Sequence, residues 1–113
     1  MHELGITHNI VAIATEHAQG AKVCRIRLAI GQLSAVMPDA IEFCFDVCAQ
    51  GTPLEGAQLE IIQPPGRGRC RVCGHEMPLD QPFGVCDCGS LQLDIIQGEE
   101  LTIQELETEA LCA

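Results

Sequence analysis

The residues best suited to chemistry are two close pairs of cysteines: Cys70-Arg-Val-Cys73 followed by Gly74, and, after a twelve-residue loop, Cys86-Asp-Cys88 followed by Gly89. Zn²⁺ accepts four soft ligands at about 2.3 Å without a geometric preference of its own, so two short cysteine turns can satisfy it completely. With every position filled, such a site holds structure and leaves no vacancy for catalysis. Gly74 allows the backbone to turn with positive φ and aim amides at sulfur, and Gly89 stands in the same place after the second pair. That second pair is one residue short, which alters its turn. His75, two residues after Cys73, reads as an exposed side chain near the site, with substitution for a cysteine left open.

The other candidate is the triplet Met1-His2-Glu3. A histidine at position two brings its Nδ1, its own backbone nitrogen and the terminal amine together as fused chelate rings. Ni²⁺ and Cu²⁺ reward such a tetragonal nitrogen set and can displace the amide proton, whereas Zn²⁺ has little reason to do either. Glu3 could add a fourth ligand or orient the imidazole. Read by itself, the triplet is an ordinary exposed histidine at a frayed end; the nickel reading needs support from elsewhere in the chain.

Composition narrows the classes. The chain of 113 residues has room for one modest core, built mainly of Ile, Leu, Val and Ala because Trp and Tyr are absent and Phe occurs three times. A net charge of −10 argues against nucleic acid, whose phosphates are bound by clustered Lys and Arg. Arg67, Arg69 and Arg71 bracket the first cysteine pair and are expected to offset thiolate charge locally. The carboxylates Glu99, Glu100, Glu105, Glu107 and Glu109 read as a solvated strand face and tail. No basic leader and no apolar run of membrane-spanning length is visible, so the expectation is a soluble cytoplasmic protein without membrane partners. In that reducing setting eight Cys point to metal before disulfides.

These sites need elements to position them. Residues 3 to 19 predict an amphipathic helix with Ile6, Ile10, Ile13 and His17 along its stripe, Val11 and Ala14 beside them, and Gly20 as its stop. From Lys22 to Ile30 the period becomes two, with Cys24, Ile26, Leu28 and Ile30 on the core face. Pro38 opens a second helix burying Ile41, Cys44, Phe45 and Cys48 and stopping near Gly51. Ala57 to Ile62 is a second strand, closed by Pro64-Pro65-Gly66. Leu91, Leu93 and Ile95 alternate in an arm of a zinc ribbon, and Leu101 to Glu105 should return to complete a three-stranded sheet, since two strands alone are marginal. The expected fold is therefore α+β: a small three-stranded sheet with two helices, residues 1–66 and 98–113, plus an inserted zinc-ribbon module, residues 67–97, with Gly66 and Gly98 as hinges.

The N-terminal triplet, helix, strand ending Ile30-Gly31, helix opened by Pro38 and paired-Cys insertion together resemble the HypA family of hydrogenase nickel-incorporation proteins, over essentially the whole chain. The resemblance implies a nickel metallochaperone in which Met1, His2 and Glu3 bind the transported Ni²⁺, and Cys70, Cys73, Cys86 and Cys88 hold a structural Zn²⁺. It further implies a HypB-type GTPase partner and delivery to the large subunit of [NiFe] hydrogenase, in some members also toward urease maturation. Family members commonly carry two intervening residues in both pairs, from which Cys86-Asp-Cys88 departs. The alternative class is a zinc-ribbon interaction module with no second metal; selective Ni²⁺ binding separates the two. A thiol-disulfide enzyme using Cys70 and Cys73 is disfavoured by the second pair, and no nucleophile-base pair or phosphate loop supports another enzyme.

Overall fold

A computed structural model describes residues 2–109. The chain runs α1 (His2–Ala18), β1 (Val23–Ile30), α2 (Pro38–Ala49), β2 (Gln58–Ile62), β3 (Gly66–Cys70), β4 (Glu76–Leu79), β5 (Leu93–Gln97) and β6 (Leu101–Thr108), forming one sheet ordered β2-β1-β6 and another ordered β4-β3-β5. Two compact units result: Met1–Leu28 with Val36–Ile61 and Thr102–Ala113, and Ala29–Ala35 with Ile62–Leu101.

In the first unit the expected helices and the returning third strand are present. Flanking backbone bonds give the strand directions. Val23 donates to Pro53 and Gln32 to Pro64, so partners rise together and β1 runs parallel to β2. Gly31 donates to Glu100 while Glu109 donates to Lys22, so β6 runs antiparallel to β1. Parallel neighbours need a crossover, and α2 supplies it. The core joins Ile10, Val11, Ala14 and Ala18 of α1, Val23, Ile26 and Leu28 of β1, Ile41, Phe45 and Cys48 of α2, and Leu54. Each large aliphatic side chain so buried contributes about 1.5–3 kcal/mol.

The buried stripe of α1 is rotated from the expected one. Thr7, Ile10, Val11, Ala14 and Ala18 face inward, whereas Ile13 is 48 % exposed and His17 lies in solvent. Small residues at 7, 14 and 18 let α1 approach its neighbours closely, and Thr7 Oγ1 satisfies itself on the Glu3 carbonyl at 2.6 Å. Cys24 and Cys44 are only half-buried, so of the three cysteines expected in the core Cys48 alone is fully inside. Leu54 enters the core from a turn, where Thr52 Oγ1 donates to the Ala49 carbonyl and accepts from the Leu54 amide.

The opposite sheet face is a charge ladder. Arg25 pairs with Glu60 (2.7 Å), Glu105 and Glu107, and Arg27 with Glu60 and Glu105. Part of the C-terminal acidic run thus has a structural assignment in place of a purely solvated one. Arg25 bonding holds the Glu107 carboxyl below its usual range.

Apart from Ala29 and Ile30 at the end of β1, the second unit buries little. Its two hairpin pairings are antiparallel, with β3 bulged between Arg67 and Gly68 where it meets β5. Between residues 62 and 101 the buried apolar side chains are Cys70, Leu79 and Cys86. Leu91, expected in the ribbon arm, precedes β5 and is exposed. Gly66 and Gly98, the expected hinges, lie in close contact: a Cβ on Gly98, at φ +112°, would stand 2.7 Å from the Gly66 Cα, and both glycines pack on Leu33. Gly31 is tighter still, with a Cβ position 1.9 Å from the Gly98 carbonyl oxygen.

Two outcomes follow from these contacts. Gly31→Ala should cost about 1–3 kcal/mol or more by forcing backbone from backbone, read as a lowered thermal midpoint of the zinc-loaded protein. Because the folded Glu107 pKa is depressed, its contribution is present above the unfolded value and lost as pH falls below the ordinary carboxylate range, about 4. Glu107→Gln should therefore flatten the acid limb of stability against pH while changing the neutral-pH value in the same direction as the lost pair.

Candidate metal centres

Each cysteine turn is built by local hydrogen bonding. Cys70 ends β3; its amide donates to the His75 carbonyl (2.9 Å), and the Gly74 amide returns to the Cys70 carbonyl (3.0 Å). Gly74 sits at φ +79°, a region costly for a residue with a Cβ. Within this loop the amides of Val72 and Cys73 point at Cys70 Sγ, at 3.4 and 3.5 Å. The second turn closes one residue sooner: Gly89, at φ +90°, donates to the Cys86 carbonyl at 2.8 Å, and Cys86 donates to Ser90. The missing residue is thus absorbed by an i→i+3 closure in place of an i→i+4 one.

All four sulfurs come together, every Sγ within 4.8 Å of the others. Cys70 Sγ lies 3.6 Å from Cys88 Sγ, and Cys73 Sγ 3.5 Å from Cys86 Sγ. Four sulfurs each about 2.3 Å from one centre stand about 3.8 Å apart, so the cluster fits a tetrahedral zinc. Cys70, Cys73, Cys86 and Cys88 would hold it, and the ion would cross-link the two turns. Cys70 and Cys86 are buried, while Cys73 and Cys88 reach the surface. The Cys73 amide, with that of Val72, lowers the Cys70 thiol to about 6. At Cys86 the Cys88 amide acts in the same sense, but burial and the adjoining thiols outweigh it and push the group up to about 12. A lone set of thiols therefore resists full ionisation, and a divalent cation removes that resistance, so zinc uptake releases protons.

His75 is exposed and lies outside the sulfur cluster. The arginines bracketing the first pair are directed at carboxylates: Arg67 and Arg69 at Glu76, Arg71 at Asp94. Local offset of thiolate charge thus comes from backbone amides, as the paired guanidinium groups are already engaged.

At the amino end, α1 begins at His2, whose side chain is exposed. Met1 lies outside the described residues. Glu3 is half-buried; its Oε2 accepts from the Met37 amide at 3.4 Å, immediately before Pro38 opens α2. The carboxyl is held below its usual range by its own backbone amide and by Met37 among other groups. Met37 was not legible as a partner of this site from sequence, although the helix start at Pro38 marks where a carboxylate would be welcome. His8 and His17 are exposed on α1 and join no group of three or more potential metal ligands among the described residues. Cys112 also lies outside the described residues.

A two-helix α+β unit and a four-thiolate zinc-ribbon unit define a metal-handling protein built around a structural metal. The sequence model of the family described as "Hydrogenase/urease nickel incorporation, metallochaperone, hypA" matches residues 1–108, and the chain belongs to this HypA family. It is 70 % identical over 112 residues, covering 99 % of both chains, to "Hydrogenase maturation factor HypA" of Nostoc punctiforme. It is 48 % identical over 110 residues to the protein of the same name from Geobacter metallireducens, covering 96 % of this chain and 100 % of that one. Among solved structures, "Solution structure of the Ni metallochaperone HypA from Helicobacter pylori" superposes with a TM-score of 0.72 at 28 % identity, covering 96 % of this chain and 97 % of that one. No helix among the described residues is long and apolar enough to cross a membrane.

Cys86→Ser and Cys88→Ser should each release or weaken zinc and unfold the unit from about Arg67 to Gln97, leaving helical circular dichroism largely intact. X-ray absorption should give four sulfurs in the parent. Three sulfurs and one nitrogen would instead place His75 in the shell.

Proposed function

We propose that the protein is a non-enzymatic cytoplasmic nickel carrier that binds Ni²⁺ through Met1, His2 and Glu3 and passes it, with a HypB-type GTPase, to the large subunit of [NiFe] hydrogenase. Urease maturation proteins are a further recipient class in keeping with the family description. In this reading the zinc module, residues 67–97, is a separate structural part.

The observation that carries the reading is where α1 begins. His2 occupies the first helical position, and the first amides of a helix have no intrahelical acceptor. The His2 backbone nitrogen can therefore exchange its proton for Ni²⁺ without breaking a helical hydrogen bond. Its imidazole is in solvent, where it can close a six-membered ring through Nδ1. Glu3 shares an oxygen with the Met37 amide, which ties the tip of α1 to the start of α2 and supports an orienting role. An open chelate at the surface is also exchangeable, as delivery requires.

Acetylation of the Met1 amine should abolish nickel binding and leave zinc unchanged, because amide formation removes the amine ligand. His2→Ala should lose nickel with the fold retained, and Glu3→Gln should weaken it by about 10- to 100-fold. Calorimetry with metal quantification reads all of these. Undiminished Ni²⁺ affinity in the acetylated protein would overturn the chelate and leave the zinc-ribbon interaction module as the better reading.

A further inference from the structure

The zinc-bearing unit carries an open cleft of about 550 Å³ whose walls include His75, Met77, Asp80, Phe83, Val85 and Asp87. Pockets that accept compact ligands run about 300–1,000 Å³, so it has room for about two large side chains. Its apolar wall is exposed by construction. Gly84 is seated against Leu79, whose Cδ2 would lie 3.1 Å from a Cβ there, and the flanking Phe83 and Val85 are left 69 % and 62 % exposed. Of the three phenylalanines only Phe45 is in the core. Pro78 on the same wall, and Pro82 next to Phe83 in the chain, fix φ at two positions of the segment and so limit the freedom it loses on binding.

The charge of the cleft selects the occupant. Every arginine of this unit is already paired, Arg67 and Arg69 with Glu76 and Arg71 with Asp94. Asp80 and Asp87 are exposed and make no ion pair or hydrogen bond through their side chains among the described residues. The cleft therefore offers uncompensated carboxylates beside bare aromatic and aliphatic surface. We infer that it is a docking site for an extended segment of a partner protein that places a Lys or Arg next to a bulky apolar side chain. The apolar group covers Phe83 and Val85, and the cation answers Asp80 and Asp87. Aromatic anchors and complementary charge are the features that concentrate binding energy and specificity at small interfaces. Asp87 lies between two zinc-site cysteines, so the recognition surface adjoins the metal turn. The inference is independent of the nickel site.

The test is an NMR titration of the zinc-loaded full chain with the capped peptide Gly-Lys-Leu-Phe-Arg-Gly, beside Gly-Glu-Leu-Phe-Glu-Gly and Gly-Lys-Ser-Ser-Arg-Gly. The basic apolar peptide should shift amides of residues 75 to 87 and the other two should not. Phe83→Ser, and Asp80→Asn combined with Asp87→Asn, should each weaken binding about tenfold with zinc content unchanged, and high salt should do the same. The His2→Ala protein should bind the peptide like the parent, which separates this outcome from that of the nickel reading. Shifts on another face, equal binding of the acidic peptide, or full affinity in both zinc-replete variants would overturn the docking site.

Discussion

Closure of four thiolates on one divalent ion is the interaction on which the second unit depends. Between residues 62 and 101 only Leu79 and the thiols of Cys70 and Cys86 are buried as apolar side chains. Structural zinc supplies about 10–16 kcal/mol in small metal-folded modules, enough to decide whether such a unit is folded. The glycines at 74 and 89 serve this closure, and the shortened second pair is accommodated by a tighter turn without moving its sulfurs out of the cluster.

The first unit rests on a different balance. Ile26, Leu28, Ile41 and Leu54 are all but inaccessible to solvent, so its fold draws on ordinary burial and does not need a metal. That independence suits the terminal chelate proposed for Met1, His2 and Glu3. α1 is anchored along Thr7, Ile10, Val11, Ala14 and Ala18, and its first turn remains at the surface with Glu3 bonded to the Met37 amide. A helix anchored along one face and open at its tip would let the proposed chelate present an ion without enclosing it.

Charge follows the same division of labour. The chain is strongly acidic, yet its arginines are engaged by carboxylates: Arg25 and Arg27 across the first sheet, Arg67, Arg69 and Arg71 across the second. What remains unneutralised is largely carboxylate, which disfavours nucleic acid and favours cationic protein surfaces.

Much was legible in the residues alone. Cysteine spacing announced a four-sulfur metal site because the ion's coordination demands two short turns, whatever lies between them. Alternation from Lys22 to Ile30 and Pro38 at a helix start announced β1 and α2, since period and proline chemistry are local properties. The stripe of α1 was misread because periodicity selects large aliphatics, whereas close packing chose Thr7 and Ala18 over Ile13 and His17. Tertiary structure alone decided the parallel pairing of β1 with β2, the entry of Leu54 into the core from a turn, and the bond between Glu3 and Met37, all of which join residues distant in sequence. It also placed Gly66 and Gly98 in a contact too close for any side chain. A glycine's freedom is written in the sequence; whether the fold spends it on motion or on close approach depends on what is packed against it.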